Sequence, residues 1–378
     1  MQIAVVAGET SGDLLGAELI RALRERRPDL EFVGIGGPLM ASAGCKLWHD
    51  AEELAVRGYA EVVRHLPRLL RLRRGLIARI LLERPALFIG IDAPDFNLPV
   101  EHALRRKGVA TLHYVSPSLW AWRGERIRKI REAVDRILVL FPFESAIYEA
   151  AGIPVAYVGH PLADLAPMKP DRNAEKAALK LDRYRPVLAL LPGSRQNELE
   201  LHAELFIAVA GEIAKALPEV QFLVPLATRE TRAFFEAALY RAGSDAPAMS
   251  LLYGHAGKAL AAADLALVAS GTATLEAALY RCPHVVTYRL SPMTYRLVKR
   301  KLRLPYVALP NVLAGRFVVP EIMQDQATPE NLAQALLNLH ADKLLRGRLE
   351  RHFAALHEQL RQNSAARAAG AVLEMLPG

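Results

Sequence analysis

The stretch ADLALVASGTATLEAALY, from Ala263 to Tyr280, constrains the fold more than any other part of the chain. It begins with a short apolar run, Leu265–Ala269, which is typical of a strand buried inside a parallel sheet. Gly271 follows, and from Ala273 onward the apolar residues recur with helical spacing. A strand, a glycine turn and a helix in this order predict an α/β fold with a parallel sheet.

The same turn predicts a site for phosphate. Backbone N–H groups and the positive end of the helix dipole converge where such a helix begins, and Gly271 lets the backbone approach an anion closely. Glu276, about one helical turn further on, is placed to accept a hydrogen bond from a ribose hydroxyl. The hydroxyl donors nearby are Ser270, Thr272 and Thr274. The alternative is an ordinary helix with Thr272 as N-cap and Glu276 on a solvated face, and spacing alone leaves both open.

Composition narrows the class of protein. With 378 residues, the chain is long enough for two α/β domains, and 52% hydrophobic residues indicate well-buried cores. Two distant cysteines, Cys45 and Cys282, favour a reducing compartment without structural zinc. The first strand, Ile3–Ala7, follows no charged segment, and no apolar run reaches 18 residues, so we expect neither a signal peptide nor a membrane span. The net charge of +8 is compatible with nucleic acid, anionic lipid or a phosphorylated substrate.

Polar residues follow two of the strands predicted in the first half. Ser11 and Gly12 come after the first strand, at the edge where open α/β sheets bind ligands, although Thr10 or Ser11 could instead cap the next helix. The loop lacks G-x-G-x-x-G, so no dinucleotide site is predicted. Asp92 stands at the carboxyl end of the apolar strand Ala86–Ile91, where a carboxylate can act as a general base. The alternative is that an Asp or Asn of this loop, best Asp95 or Asn97, caps the following helix.

Two stretches of the first half combine apolar or aromatic residues with arginines. One, Tyr59–Leu82, is either a surface helix packed on the sheet or an interfacial helix that dips into a membrane with arginines facing anionic lipid. Its candidate membrane residues are Val62, Val63, Leu66, Leu69, Leu70, Arg71 and Arg73. The other is the loop SPSLWAWR and the helix after it. No OB, KH or RRM pattern accompanies its aromatics, so nucleic acid is not predicted.

The pattern of strands and helices restarts in the second half. LLPGSR ends a strand with a Pro-Gly turn, and Arg195 beside it can clamp a diphosphate. Together with the Ser270–Thr272 turn, this places two phosphate-type loops in one domain. Charged and proline-containing residues 164–186 are the predicted hinge. The predicted domains are residues 1–165 and 166–340, with helices at 341–378 that pack back on the first domain.

Six segments identify a resemblance that covers most of the chain, from about Ile3 to Leu336. They are AGETSGD, GIDAPDFN, HYVSPSLWAWR, LLPGSR, SGTATLEAAL and YVALPNVLAGR. In this order they closely resemble the lipid-A-disaccharide synthases of Gram-negative bacteria. The resemblance implies a GT-B fold, in which two doubly wound, Rossmann-like domains face a cleft and helices follow at the C-terminus.

The resemblance also implies a reaction and its residues. UDP-2,3-diacylglucosamine would be joined to 2,3-diacylglucosamine 1-phosphate with inversion, giving the β(1→6) disaccharide 1-phosphate and UDP. By motif match, Asp92 is the base for the acceptor hydroxyl and Arg195 stabilises the leaving UDP. The implied UDP-binding residues are Ser11, Ser194, Arg195, Ser270, Gly271, Thr272, Thr274, Glu276 and Asn311. Neither a metal nor a cofactor is implied, because the helix dipole and Arg195 can supply the positive charge.

The acylated substrates imply a peripheral protein at the cytoplasmic face of the inner membrane, held on anionic lipid by the basic apolar stretch. The acceptor phosphate is assigned, as a hypothesis, to Trp120, Arg123 and Arg126. Monomer and homodimer both stay open. The rival functions are a lipid-linked glucosaminyltransferase or a 2-epimerase of the same fold, and a non-catalytic protein that binds lipid or nucleic acid.

Overall fold

The computed structural model of the chain describes residues 1–54, 59–119, 126–291, 295 and 304–377, and only the backbone of 59–66 and of 245. The chain divides into two compact units. The first contains Met1–Asp164 and Leu360–Gly378, and the second contains Leu165–Gln359. Residues 341–359, predicted to belong with the C-terminal helices, are therefore grouped with the second unit, and the chain returns to the first unit at Leu360.

The first unit is built on a seven-stranded parallel sheet with the order β3-β2-β1-β4-β5-β6-β7. Its strands are β1 Gln2–Ala7, β2 Glu31–Gly36, β3 Cys45–Asp50, β4 Leu87–Ile91, β5 Thr111–Tyr114, β6 Arg136–Val139 and β7 Val155–Tyr157. Its helices are α1 Thr10–Arg26, α2 Pro38–Ser42, α3 Tyr59–Glu83, α4 Pro94–Arg105, α5 Arg126–Ala133, α6 Glu144–Ala150 and α7 Pro161–Leu165.

Helices cover both faces of this sheet, which is why its central strands are almost continuously apolar. On one face, Leu19 and Leu23 of α1 pack on the strands in the same buried cluster as Val372. Val372 belongs to α16 (Ser364–Leu373), the last helix of the chain, which packs along α1. The C-terminal segment therefore completes the core of the first unit.

Helix α3 uses part of its apolar side for the opposite face of the sheet. Leu76 and Ile80 are buried there, one helical turn apart, and Leu72 packs beside them. Leu69 and Leu70, further toward the N-terminus, are half-buried, and Arg71 is exposed. The side chains of Val62, Val63 and Leu66 lie outside the described residues. In the described part of the chain no helix is both long and apolar enough to cross a membrane.

The second unit contains a six-stranded parallel sheet with the order β10-β9-β8-β11-β12-β13. Its strands are β8 Val187–Leu191, β9 Gln221–Leu226, β10 Met249–Tyr253, β11 Leu265–Ala269, β12 His284–Tyr288 and β13 Glu321–Met323. Its helices are α8 Arg172–Ala178, α9 Gln196–Ala216, α10 Arg229–Ala242, α11 Ala256–Ala262, α12 Thr272–Leu279, α13 Leu309–Ala314, α14 Pro329–Ala341 and α15 Lys343–Leu360. The predicted α/β class with two doubly wound sheets is confirmed.

Candidate active site

In the first unit, the candidate residues lie where the order of the sheet reverses. Strand β1 pairs with β2 on one side and with β4 on the other, so a crevice forms at the carboxyl ends of β1 and β4. The loops after these strands touch, because a Cβ at Gly8 would lie 2.9 Å from Cβ of Ala93. Ser11 is exposed in the first turn of α1 and half-buried Asp92 directly follows β4. The fold thus brings Ser11 and Asp92 to one edge of the sheet.

The backbone that carries Asp92 adopts an uncommon conformation. Asp92 and Ala93 both lie in the left-handed region, with φ of 50° and 42°, and Val115 after the neighbouring strand has φ of 83°. Left-handed residues other than glycine cost free energy, most of all when β-branched, and they concentrate at functional sites. The Asp92 N–H donates to the Tyr114 carbonyl at 2.8 Å, which holds the turn against β5.

The predicted helix caps near these residues are wrong. Helix α4 begins at Pro94 with Ala93 as N-cap, and α1 begins at Thr10 with Glu9 as N-cap, and neither N-cap residue makes a side-chain capping bond. Proline is well suited to the first position of a helix because its missing N–H would have no partner there. Asn97 instead donates from Nδ2 to the Asp92 carbonyl at 2.9 Å. Neither Asp95 nor Asn97 is thus the N-cap that the sequence suggested, since both lie inside the helix.

Of the three residues assigned to the acceptor phosphate, Arg126 lies in the described part of the chain, whereas Trp120 and Arg123 lie outside it. Arg126 forms an ion pair with Asp95, whose side chain is 79% exposed. An ion pair with so exposed a partner contributes only about 0–1 kcal/mol, so a phosphate can compete with Asp95 for the guanidinium.

In the second unit, both predicted phosphate loops flank the reversal point of the sheet. Strand β8 pairs in parallel with β11, and the loop 192–195 follows β8 as the loop 270–271 follows β11. Ser194, Arg195, Gly271 and Thr272 are exposed, and Ser270 is half-buried. The two loops therefore follow neighbouring strands and lie at the same edge of the sheet. This is the edge at which open α/β sheets bind ligands such as a nucleoside diphosphate.

Glu198 organises the first of these loops. Its carboxylate accepts from the backbone N–H of Ser194 at 2.8 Å and from that of Arg195 at 3.2 Å. Gly193 has φ of 135°, and a Cβ there would lie 2.6 Å from Cβ of Glu198, so the loop needs glycine at this position. The sequence signal was a glutamate three residues after the N-cap Arg195, the spacing of a capping box.

The helix after the second loop begins without a side-chain cap, since its N-cap is Gly271 with φ of 131°. Thr272 is therefore the first residue of α12 and not its cap. The Thr274 hydroxyl is buried and engaged, donating to the Gly271 carbonyl and accepting from the Leu309 N–H. Glu276 is half-buried, and burial raises the pKa of its carboxyl group. The alternative of Glu276 on a solvated face is thus wrong.

Asn311 lies inside the unit and not on an accessible edge. It is fully buried, and its Oδ1 accepts from the N–H groups of Val318 and Val319. Its Nδ2 donates to the Val319 carbonyl and to Glu321. All four hydrogen-bonding positions of the amide are thereby used within the protein, so Asn311 holds the surrounding loops.

Three buried polar residues that no sequence motif had indicated support these edges. Glu101 and His113 form a buried pair below Asp92, with 2.7 Å between Oε1 and Nδ1. His202 accepts from the Arg289 N–H at 2.9 Å behind the β8 loop, and burial lowers its pKa, which favours the neutral ring. The available signal was a polar residue at a position where the strand or helix pattern requires an apolar one. In the described ranges, no group of three or more His, Cys, Asp or Glu residues is arranged to hold a metal.

Two doubly wound parallel sheets, each with candidate loops at its reversal point, define the GT-B fold, a fold that glycosyltransferases share with a UDP-GlcNAc 2-epimerase. Solved structures agree in fold: a glycotransferase of kitacinnamycin has a TM-score of 0.65 at 18% identity, covering 100% of this chain and 99% of that one. UDP-GlcNAc 2-epimerase from Neisseria meningitidis, bound to UDP-GlcNAc, has a TM-score of 0.63 at 12% identity, with 99% of both chains covered.

Sequence similarity is far more specific. The chain belongs to the Lipid-A-disaccharide synthetase family, whose pattern matches residues 3–372. The Lipid-A-disaccharide synthase of Dechloromonas aromatica (strain RCB) is 54% identical over 378 residues, which covers 100% of this chain and 99% of the relative. The family resemblance found from the six sequence segments is confirmed.

Proposed function

We propose that this chain transfers 2,3-diacylglucosamine from UDP-2,3-diacylglucosamine to the 6-hydroxyl of 2,3-diacylglucosamine 1-phosphate. The products are the β(1→6)-linked disaccharide 1-phosphate and UDP. Membership of the Lipid-A-disaccharide synthetase family supports the substrates. The observation that carries the residue roles is that each sheet has polar candidate residues at its reversal point, Ser11 and Asp92 in one unit and two phosphate-type loops in the other.

Asp92 is the base of this reaction. Its carboxylate takes the proton of the acceptor hydroxyl as that oxygen attacks the anomeric carbon of the donor. The bond from this carbon to the diphosphate breaks on the opposite side, so the anomeric configuration inverts in a single displacement. General-base assistance of this kind contributes about 10²–10⁴-fold to the rate.

The second unit stabilises UDP as it leaves. Arg195 and the uncapped N-terminus of α12 offer positive charge to the diphosphate, and Ser194, Ser270 and Thr272 offer donors. Glu276 accepts from a ribose hydroxyl. Thr274 and Asn311 hold the α12 turn and the segment before α13, so we assign them to positioning.

The acylated substrates lie in a bilayer, and we propose that the N-terminal part of α3 contacts an anionic membrane surface on the cytoplasmic side. The difference in burial along α3 supports this membrane contact. Leu76 and Ile80 pack on the sheet, whereas Leu69 and Leu70 are only half-buried and have Arg68 and Arg71 exposed beside them. Basic residues next to apolar ones on one helix are the pattern of an interfacial helix.

The experiment is UDP release from UDP-2,3-diacylglucosamine in detergent micelles, with and without the acceptor, for the wild type and Asp92→Asn. We expect acceptor-dependent release that falls about 10²–10⁴-fold in the variant while UDP affinity is retained. Undiminished release by Asp92→Asn would discard this base. Release without acceptor would indicate hydrolysis or epimerase-type chemistry, and no release by folded wild-type protein would contradict the proposed reaction.

A further inference from the structure

A cluster of three polar side chains is buried directly below the Asp92 turn. Asn97 and Glu101 lie one helical turn apart on α4, His113 lies on β5, and all three are completely buried. Their positions are ones that the apolar pattern of the helix and the strand would give to hydrophobic residues.

Glu101 is fitted to strand β4 as well as to His113. Its Oε1 lies 2.7 Å from His113 Nδ1, and the sheet register pairs His113 with Gly90. A Cβ at Gly90 would overlap Glu101 Oε1, so the carboxyl group occupies the space that a side chain on β4 would fill. Glu101 and His113 thus bridge α4, β4 and β5 two residues before Asp92.

Asn97 connects this bridge to the turn itself. Its Nδ2 donates to the Asp92 carbonyl at 2.9 Å and also approaches the carbonyls of Ile91 and Val6, at 3.3 and 3.4 Å. A single amide therefore holds the ends of β1 and β4 and the first of the two left-handed residues. Gly90 has no side chain, and the space that a Cβ would take there is occupied by Glu101 Oε1. Cβ and Cγ of Asn97 border the same space.

Burying this cluster costs folding free energy. Within the part of the chain that the structure describes, Asn97 Oδ1, Glu101 Oε2 and His113 Nε2 are buried without a hydrogen-bond partner. Buried ion pairs and unpartnered polar atoms generally stabilise a fold less than apolar side chains of the same size. Stability alone therefore does not account for this cluster, and the local feature that it touches is the strained backbone of Asp92.

The pair also interacts electrostatically with Asp92. Burial opposes charge on His113, but Glu101 and then Asp92 outweigh it and raise the pKa of His113. Burial raises the pKa of Glu101 against the opposing effect of His113. Both shifts favour a proton held between Nδ1 and Oε1.

We infer that Glu101, His113 and Asn97 are positioning residues that hold the Asp92 turn in its left-handed conformation and thereby aim the base. The inference rests on the proposed role of Asp92. Misplacing a reacting group by about 1 Å costs about 100-fold in rate, so a support that fixes the backbone on both sides of the base affects kcat and not donor binding.

The test compares Glu101→Gln and His113→Gln with Thr111→Val. Thr111 is a matched control, because it is a buried polar residue on the same strand whose hydroxyl donates to the Ala133 carbonyl at the other end of β5. Hydrogen–deuterium exchange of the peptide covering residues 90–98 reports the turn without any substrate. We expect faster exchange there in the two cluster variants and wild-type exchange there in the control.

Kinetics then connect the cluster to the base. We expect kcat to fall about 10–100-fold in Glu101→Gln and His113→Gln with the UDP dissociation constant unchanged. In an Asp92→Asn background, Glu101→Gln should have no further effect, because a residue that acts through Asp92 has nothing left to position.

Several outcomes would overturn the inference. One is unchanged exchange at residues 90–98 in Glu101→Gln and His113→Gln, and another is a kcat in these variants equal to that of Thr111→Val. The third is a loss of kcat from Glu101→Gln that is the same in the wild-type and in the Asp92→Asn background. Failure of the proposed function is distinguishable, since it would appear as absent transfer in the wild type while the exchange experiment still decides whether the cluster holds the turn.

Discussion

Asn311 and Glu321 are joined in the second unit by a hydrogen bond of 2.8 Å from Nδ2 to Oε1. The same carboxylate accepts from the N–H groups of Val307 and Ala308, which lead into α13. The next residue, Leu309, donates to Thr274 of α12. The pair thus supports the segment that lies against the proposed UDP helix.

Asn311→Ala is expected to weaken UDP binding indirectly. It removes four hydrogen bonds and leaves buried groups unpartnered, so the free energy of unfolding should fall by about 2–4 kcal/mol. Denaturant unfolding and titration calorimetry with UDP measure the two effects. Glu321→Gln should lower the free energy of unfolding and the affinity for UDP in parallel. A loss of UDP affinity in Asn311→Ala at unchanged stability would instead indicate direct contact with the nucleotide.

Gly193→Ala should disrupt the β8 loop. The new Cβ would meet Glu198 at 2.6 Å, and φ of 135° is unfavourable for alanine. We expect a cost of about 1–3 kcal/mol in stability, together with weaker UDP binding. Gly254→Ala is the control, because Gly254 also has a positive φ, of 67°, but a Cβ added there would meet no other atom. If both variants bind UDP equally well, the loop does not contribute to the site.

Glu276→Gln should stabilise the protein at neutral pH and weaken its binding of UDP. Burial raises the pKa of this carboxyl group, which means that the folded state disfavours the charge. The penalty is complete above the raised pKa and disappears as the pH falls toward the ordinary value of 4.5. The gain in melting temperature should therefore be largest near pH 8 and shrink toward pH 5. A gain independent of pH would point to packing instead of charge.

His284 should contribute to acid sensitivity. Burial lowers its pKa from 6.5 to about 4, so the unfolded chain binds a proton before the folded one does. Stability is complete above pH 6.5 and is lost as the pH falls toward 4, by about 3 kcal/mol in total and about 1 kcal/mol at pH 5.5. Urea unfolding at pH 7.5 and 5.5 should show a smaller difference for His284→Gln than for the wild type. Exposed His255, replaced by Gln, should leave the difference unchanged.

The membrane proposal predicts that different leucines of α3 determine membrane binding and stability. Leu69→Ser with Leu70→Ser should weaken binding to vesicles containing phosphatidylglycerol about tenfold or more, because each half-buried leucine loses part of its transfer free energy. Leu344→Ser is the control, since that leucine is 76% exposed in the second unit. Leu76→Ser should reduce stability instead, because Leu76 is 2% exposed. Vesicle sedimentation at low and high salt would measure binding, and equal binding by the Leu69→Ser, Leu70→Ser double variant and by Leu344→Ser would contradict the proposal.

The sequence by itself determined the parallel strands and the loops after them. Strand β11 occupies the predicted Leu265–Ala269, and Gly271 ends the loop before α12. These features depend on residues within about ten positions of one another, where apolar periodicity and glycine carry the information. The order of the segments along the chain was also sufficient to identify the family.

Only the tertiary structure decided which side chains meet. The pairing of Glu101 with His113 and the choice of α1 as the helix on which α16 packs each join residues that periodicity treats as independent. Asn311 looked like a ligand contact in sequence, but its amide is used by residues that only the fold brings around it. A polar residue in an apolar pattern reveals that it needs a partner, and the order and register of the strands decide which partner it finds.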